Sequence, residues 1–114
     1  MEVTATHHAH VTVLAIAGSV DSLTADKLTA ALTGHVGAGQ VRLVADFSAV
    51  DYTSSAGLRS LLGALKDSRR LGGDLRLAAV QPSVLRVLSI SGFAGIIKIF
   101  DDVASAVASY GTGA

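Results

Sequence analysis

Two adjacent serines, Ser54 and Ser55, stand between an apolar strand and an amphipathic helix. They lie in the stretch Asp46-Phe47-Ser48-Ala49-Val50-Asp51-Tyr52-Thr53-Ser54-Ser55-Ala56-Gly57-Leu58-Arg59. A hydroxyl at a helix start can do two things. It can accept a hydrogen bond from a backbone N–H that has no intrahelical partner, acting as a cap. It can also carry a phosphate, because the positive end of the helix dipole favours negative charge. Residue type alone leaves both uses open, and capping is the commoner one. Arg59, one helical turn on, is the nearest cation. It is placed to pair with a phosphate or with an acidic partner, or it is a solvated charge on the helix face. Asp21, just before another helix start, is a cap or loop residue on the same grounds.

Other chemistries find little support. No Gly-x-x-x-x-Gly-Lys-Ser/Thr loop is present, and Gly37-Ala38-Gly39 precedes a strand where a dinucleotide fingerprint would follow one. No Gly-x-Ser-x-Gly elbow occurs, and no histidine lies in the strand-to-helix loops where a general base would sit. An enzyme is therefore not expected, and no cofactor is. His7, His8 and His10 could bind a metal in principle. Nearby carboxylates and thiols are lacking, so a solvent-facing hairpin connection is the better reading, and no metal site is expected. His35, at a helix end, suits the negative pole of the dipole.

Composition narrows the class. One domain is expected over residues 1–110 of the 114, with 111–114 as a frayed tail. Half the residues are hydrophobic and 16% are charged, which is ample for a packed core. Nine basic residues balance nine acidic ones, so the basic footprint of nucleic-acid binding is missing. The chain has no cysteine, which fits a reducing compartment. No basic-then-apolar leader and no apolar run of about 18 residues is seen, so a cytoplasmic protein away from the membrane is expected.

The elements that must position the serines follow from periodicity. Val3 to His8 and Val11 to Ala17 read as a hairpin, the second strand ended by Gly18. Leu28, Ala31, Leu32 and His35 sit at helical spacing, with Leu23 a turn before, Ser22 or Thr24 as cap, and Gly34, Gly37 and Gly39 beyond. Val41 to Phe47 is a strand with Val41, Leu43, Ala45 and Phe47 on one face and Arg42, Val44 and Asp46 on the other. Gly57 to Leu71 is the clearest helix, with Leu58, Leu61, Leu62 and Leu65 as its stripe and Lys66, Arg69 and Arg70 near its negative end. Leu75 to Val80 is a strand. Pro82 opens a short helix that Gly92 ends. Ile96 to Phe100 is a strand, and Asp101 or Asp102 caps a last helix carrying Val103, Val107 and Tyr110. The order β-β-α-β-α-β-α-β-α predicts an α/β fold, a mostly parallel sheet with a leading antiparallel hairpin.

The serine segment resembles the phosphorylation loop of anti-sigma factor antagonists, the small bacterial members of the STAS domain family. Gly18-Ser19-Val20-Asp21, Gly72-Gly73-Asp74-Leu75-Arg76-Leu77, Pro82-Ser83-Val84-Leu85-Arg86-Val87-Leu88 and Ser91-Gly92-Phe93 extend the likeness in order along nearly the whole chain. The resemblance implies a STAS fold, with Ser55 as the phosphorylated residue and Ser54 as the second choice. Ser54 departs from the aspartate that often precedes that serine. The partner surface implied is Asp21, Asp46, Thr53, Ser54, Ser55, Gly57, Leu58 and Arg59. Asp21, Asp46 and Asp51 would form an acidic rim, and a bulky residue at Gly57 would crowd the partner while the chain stays folded. The implied partners are an anti-sigma factor that is also a serine kinase of the Bergerat fold, and a PP2C-type phosphatase. The unphosphorylated protein, a monomer or weak dimer, would bind the kinase and release a sigma factor. That is partner switching in transcription regulation by a signalling phosphoprotein. Two other classes compete: a STAS scaffold or accessory subunit in which Ser55 only caps, and a small nucleotide-binding or hydrolytic protein.

Overall fold

A computed structural model describes residues 1–111. The strands are β1 (Glu2–His8), β2 (Val11–Val20), β3 (Arg42–Thr53), β4 (Asp74–Ala78) and β5 (Ile99–Phe100). The helices are α1 (Ala25–Gly37), α2 (Ser55–Arg70), α3 (Pro82–Ile90) and α4 (Val103–Ala108), with a 3-10 turn at Phe93–Gly95. The strands lie side by side in chain order, β1 antiparallel to β2 and all later pairs parallel. The mixed sheet and the element order expected from the sequence are therefore present. Apart from Gly111, the expected tail lies outside the described residues.

Strand alternation sorts the core into two layers. Leu14, Ile16, Leu43, Ala45, Phe47, Leu75 and Leu77 face the apolar stripes of α1, α2 and α3. Val11, Val13, Val44 and Ala78 face α4 through Ala106, Val103, Val107 and Tyr110. Tyr110 fixes this second layer. Its hydroxyl lies 2.7 Å from the Leu43 carbonyl and 2.8 Å from that of Asp74, sharing one proton between them. Burial, reinforced by the Asp74 charge and opposed by Arg76, keeps this phenol protonated far above its ordinary range.

Several boundaries differ from the expectation, each for a physical reason. β2 does not stop at Gly18. That residue takes φ +103° at an irregularity in the β2–β3 register, so the strand bends there and continues to Val20. β3 likewise runs past Phe47 to Thr53, because Ala17, Ser19 and Val20 are there to pair with Ala49, Tyr52 and Thr53. β4 ends at Ala78, where Ala79 turns to φ +56°. β5 begins only at Ile99. Ile97 is buried beneath the 3-10 turn, and the Ile96 carbonyl accepts from Arg69. Leu23 joins no helical stripe: it is 89% exposed. Asp102 is the cap of α4, accepting from the Ser105 N–H at 2.7 Å.

Asp74 ties the start of β4 to the end of α2. Its carboxylate accepts from Arg69 Nε at 2.8 Å and Arg76 Nε at 3.0 Å. Burial works to raise its pKa, but the hydrogen bonds from Arg76 and Arg69 and the Arg69 charge outweigh it, and the net shift is downward. A carboxyl depressed on folding stabilises fully above its unfolded pKa, and that contribution is lost as pH falls through the folded value. Asp74→Asn should cost about 2 kcal/mol at neutral pH, the scale of lost charge-assisted hydrogen bonds. In urea titrations, the gap from wild type should close as pH drops below about 4. A gap that stays constant to low pH would refute the assignment.

Candidate functional site

The start of α2 is built on the ends of β2 and β3. Val20 and Thr53 are paired in the sheet, and the Ser54 N–H donates to the Val20 carbonyl at 2.8 Å. Ser54 is the N-cap: its backbone is extended and its Oγ accepts from the Gly57 N–H at 3.3 Å. The helix thus begins two residues earlier than periodicity indicates, and Ser55 is its first residue. The two serines are not equivalent. Ser54 is half-buried and occupied as a cap, whereas Ser55 is exposed beside backbone N–H groups at the positive end of the helix.

Gly57 has a different place from the one expected. It is buried, and a Cβ on it would stand 2.6 Å from Thr53 Oγ1 and 2.7 Å from Val20 Cγ1. The α2 backbone approaches the ends of β2 and β3 closely there, so a larger residue would press on the fold itself. Thr53 is buried with it, and Leu58 is half-buried against the main core. Arg59 is exposed one turn beyond Ser55 and belongs to no ion pair among the described residues.

The acids distribute unevenly. Asp21 organises the turn into α1: its Oδ1 accepts from the N–H groups of Leu23 and Thr24 at 2.9 and 3.0 Å and from Thr24 Oγ1 at 3.1 Å. The Thr24 backbone bond is the chief cause of its lowered pKa. Thr24 holds the N-cap position of α1, but its hydroxyl makes no cap bond; it accepts from the Asp21 N–H at 2.9 Å, and its one proton is shared between Asp21 Oδ1 and the Ser19 carbonyl. Asp51 accepts from Ser19 Oγ at 2.9 Å. Asp46 pairs with Ala15 and Ala78 in the sheet. Six residues of strand lie between it and Thr53, a span of roughly 23 Å at the usual rise. The structure does not bring it to the serines.

Between α1 and α2 an open groove of about 480 Å³ runs beside this site. Ser22, Asp26, Thr29, Ala56, Arg59 and Ser60 line it. Thr29 and Ser60 join hydroxyls across the helices at 2.6 Å, a link the sequence reading missed. Leu23, in the turn after Asp21, and Tyr52, two residues before Ser54, are respectively 89% and 52% exposed, and the sequence reading foresaw neither as an exposed apolar group. The available signal was a leucine inside a run of turn-forming polar residues. Among the described residues no cluster of three or more His, Cys, Asp or Glu side chains is assembled. His7 Nδ1 instead lies 3.3 Å from Thr12 Oγ1. No helix among them is long and apolar enough to cross a membrane.

A mixed five-stranded sheet with a leading antiparallel hairpin and four helices places the chain in the α/β class. The STAS domain profile matches residues 2–106. BtrV of Bordetella bronchiseptica, named as a candidate anti-sigma factor antagonist, is 39% identical over 95 residues, 83% of this chain and 82% of BtrV. A solved candidate antagonist from Thermotoga maritima superposes with a TM-score of 0.89 at 21% identity, covering 94% of this chain and 92% of that one. Bacillus SpoIIAA in its phosphorylated form superposes with a TM-score of 0.74 at 16% identity, covering 96% and 99%. At those identities the two structures speak for the fold. The chain belongs to the STAS domain family, and within it stands with the anti-sigma factor antagonists.

Two predictions follow from the geometry. Gly57→Val should destabilise the fold itself by about 1–3 kcal/mol, because Val20 and Thr53 leave no room for the side chain. A melting temperature equal to wild type would show that the helix start yields freely. Asp21→Asn retains an acceptor oxygen and should melt close to wild type, whereas Asp21→Ala should melt lower, because the Leu23 and Thr24 N–H groups lose their acceptor. Equal melting of the two variants would mean the Asp21 hydrogen bonds do not support α1.

Proposed function

We propose that this protein is the phosphorylatable member of a partner switch. In its unphosphorylated form it binds an anti-sigma factor that is also a serine kinase of the Bergerat fold, releasing a sigma factor. Phosphorylation of Ser55 ends the complex, and a PP2C-type phosphatase restores it. The protein is then a substrate and a switch, and it catalyses nothing itself. The observation that carries this reading is the division of labour between the serines: Ser54 is engaged as the cap and Ser55 is exposed. The names of the curated relatives support the same class of partner.

Charge explains how the switch would act. A phosphate on Ser55 adds about −1.5 to −2 at neutral pH. At a helix start that charge gains roughly 0.3–1 kcal/mol, so the fold tolerates it. Within a docked surface, like charge and desolvation cost several kcal/mol. The penalty therefore falls on the complex. Leu23 and Tyr52 would supply apolar contact around the loop, and Arg59 a charge for an acidic partner. Asp21 and Asp51 would give the rim beside Ser55 a negative bias.

Ser55→Asp should fold like wild type yet bind the cognate kinase at least about a hundredfold more weakly, about 2.7 kcal/mol. Ser55→Ala should bind and remain unmodified, while Ser54→Ala should keep most of the phosphorylation. Mass spectrometry after reaction with the kinase and ATP decides the residue. Phosphate on Ser54 alone, or persisting in Ser55→Ala, would move the switch elsewhere.

A further inference from the structure

The two edges of the sheet differ sharply. The β5 edge is two residues long. The β1 edge runs seven residues in unbroken register with β2, and its outer side pairs with no strand among the described residues. Edge strands are commonly protected by lysine, proline, a bulge or sheer brevity. β1, Glu2-Val3-Thr4-Ala5-Thr6-His7-His8, has none of these, and every residue but Val3 is exposed.

Its sequence is also complementary to itself. Lay a second copy of β1 antiparallel about a two-fold axis at Ala5. Ala5 then faces Ala5, Thr4 faces Thr6, Val3 faces His7, and Glu2 faces His8 of the other copy. All seven residues are matched, with a carboxylate opposite an imidazole at both ends and threonine pairs between. Cross-strand threonine pairs and acid–base pairs are favourable, and this register places no like charges opposite each other. Moving the axis to Thr6 sets His8 against Thr4 and takes Glu2 out of the strand pairing. Moving it to Thr4 sets Glu2 against Thr6 and takes His8 out.

We propose that β1 is a homodimerisation edge, joining two copies into one continuous sheet in the register centred on Ala5. Such a two-fold contact is closed: it consumes both open edges and stops at a dimer. The contact is separate from the serine site and holds whether or not Ser55 is phosphorylated.

The chain has no cysteine, so Ala5→Cys introduces a single thiol at an exposed position. Residues facing each other across antiparallel strands have Cα atoms about 4.5–5.5 Å apart, within the roughly 4.4–6.8 Å that a disulfide spans. Under mild oxidation Ala5→Cys should form a covalent dimer at least about tenfold faster than Thr4→Cys, whose counterpart is Thr6. In sedimentation, wild type should dimerise reversibly, and Glu2→Lys should weaken the dimer about tenfold or more. Adding His8→Glu to Glu2→Lys should restore it. A wild-type chain that is monomeric at millimolar concentration would overturn the proposal. So would equal cross-linking by Thr4→Cys, or a double variant no better than Glu2→Lys.

Discussion

The fit of Gly57 against Val20 and Thr53 is the constraint on which the site depends. Helix α2 can start where it does only because residue 57 has no side chain to hold it off the sheet. That approach places the Ser54 N–H on the Val20 carbonyl and the Ser54 hydroxyl over the first turn. Once Ser54 is committed in this way, Ser55 has nowhere to go but the first helical position, facing outward. The difference between the two serines is thus a consequence of backbone packing at a buried residue.

The same rung explains why β2 and β3 are longer than the rest of the sheet. Beyond Ala17 and Phe47 the two strands pair only with each other: the β1–β2 pairing ends at the Glu2–Ala17 rung and the β3–β4 pairing at the Asp46–Ala78 rung. The extension carries Val20 and Thr53 out to meet α2, and it carries Ser19, Asp51 and Tyr52 with them. Gly18 bends this extension through its positive φ. Asp21 then turns the chain tightly into α1, so that Ser22 and Asp26 face Ala56 and Arg59 across the groove.

Periodicity made the layers legible. The stripe Leu58, Leu61, Leu62, Leu65 and the alternation of Leu43, Val44, Ala45 and Phe47 carry strong signals because burial enforces them. The ends of elements were less legible. Ser48 to Thr53 carries the turn formers Ser48 and Asp51 among strand-favouring residues, and Val50 and Thr53 are buried, so the strand continues through them. The run Ile96 to Phe100 has a strand's composition, but Ile97 is spent on the core beneath the 3-10 turn. There long-range packing overrides local preference. Ser54 and Ser55 were readable as a helix start; which one caps was not, because that choice is set by Gly57 and its contact across the chain.

A rigid helix start is also what a charge switch of the proposed kind requires. If phosphate at Ser55 had to displace a cap or open a turn, part of its electrostatic effect would go into refolding the loop. Here the cap is Ser54, whose bond to the Gly57 N–H does not involve the Ser55 hydroxyl. The added charge sits where the helix dipole favours it, so the isolated protein has no reason to change shape. The signal must then be read by whatever docks on the surface. A docked surface reads it well, because excluding water strengthens charge repulsion that solvent would otherwise screen. In the proposed switch, fold stability and switching would be separated within two adjacent residues, with Ser54 serving the first and Ser55 available for the second.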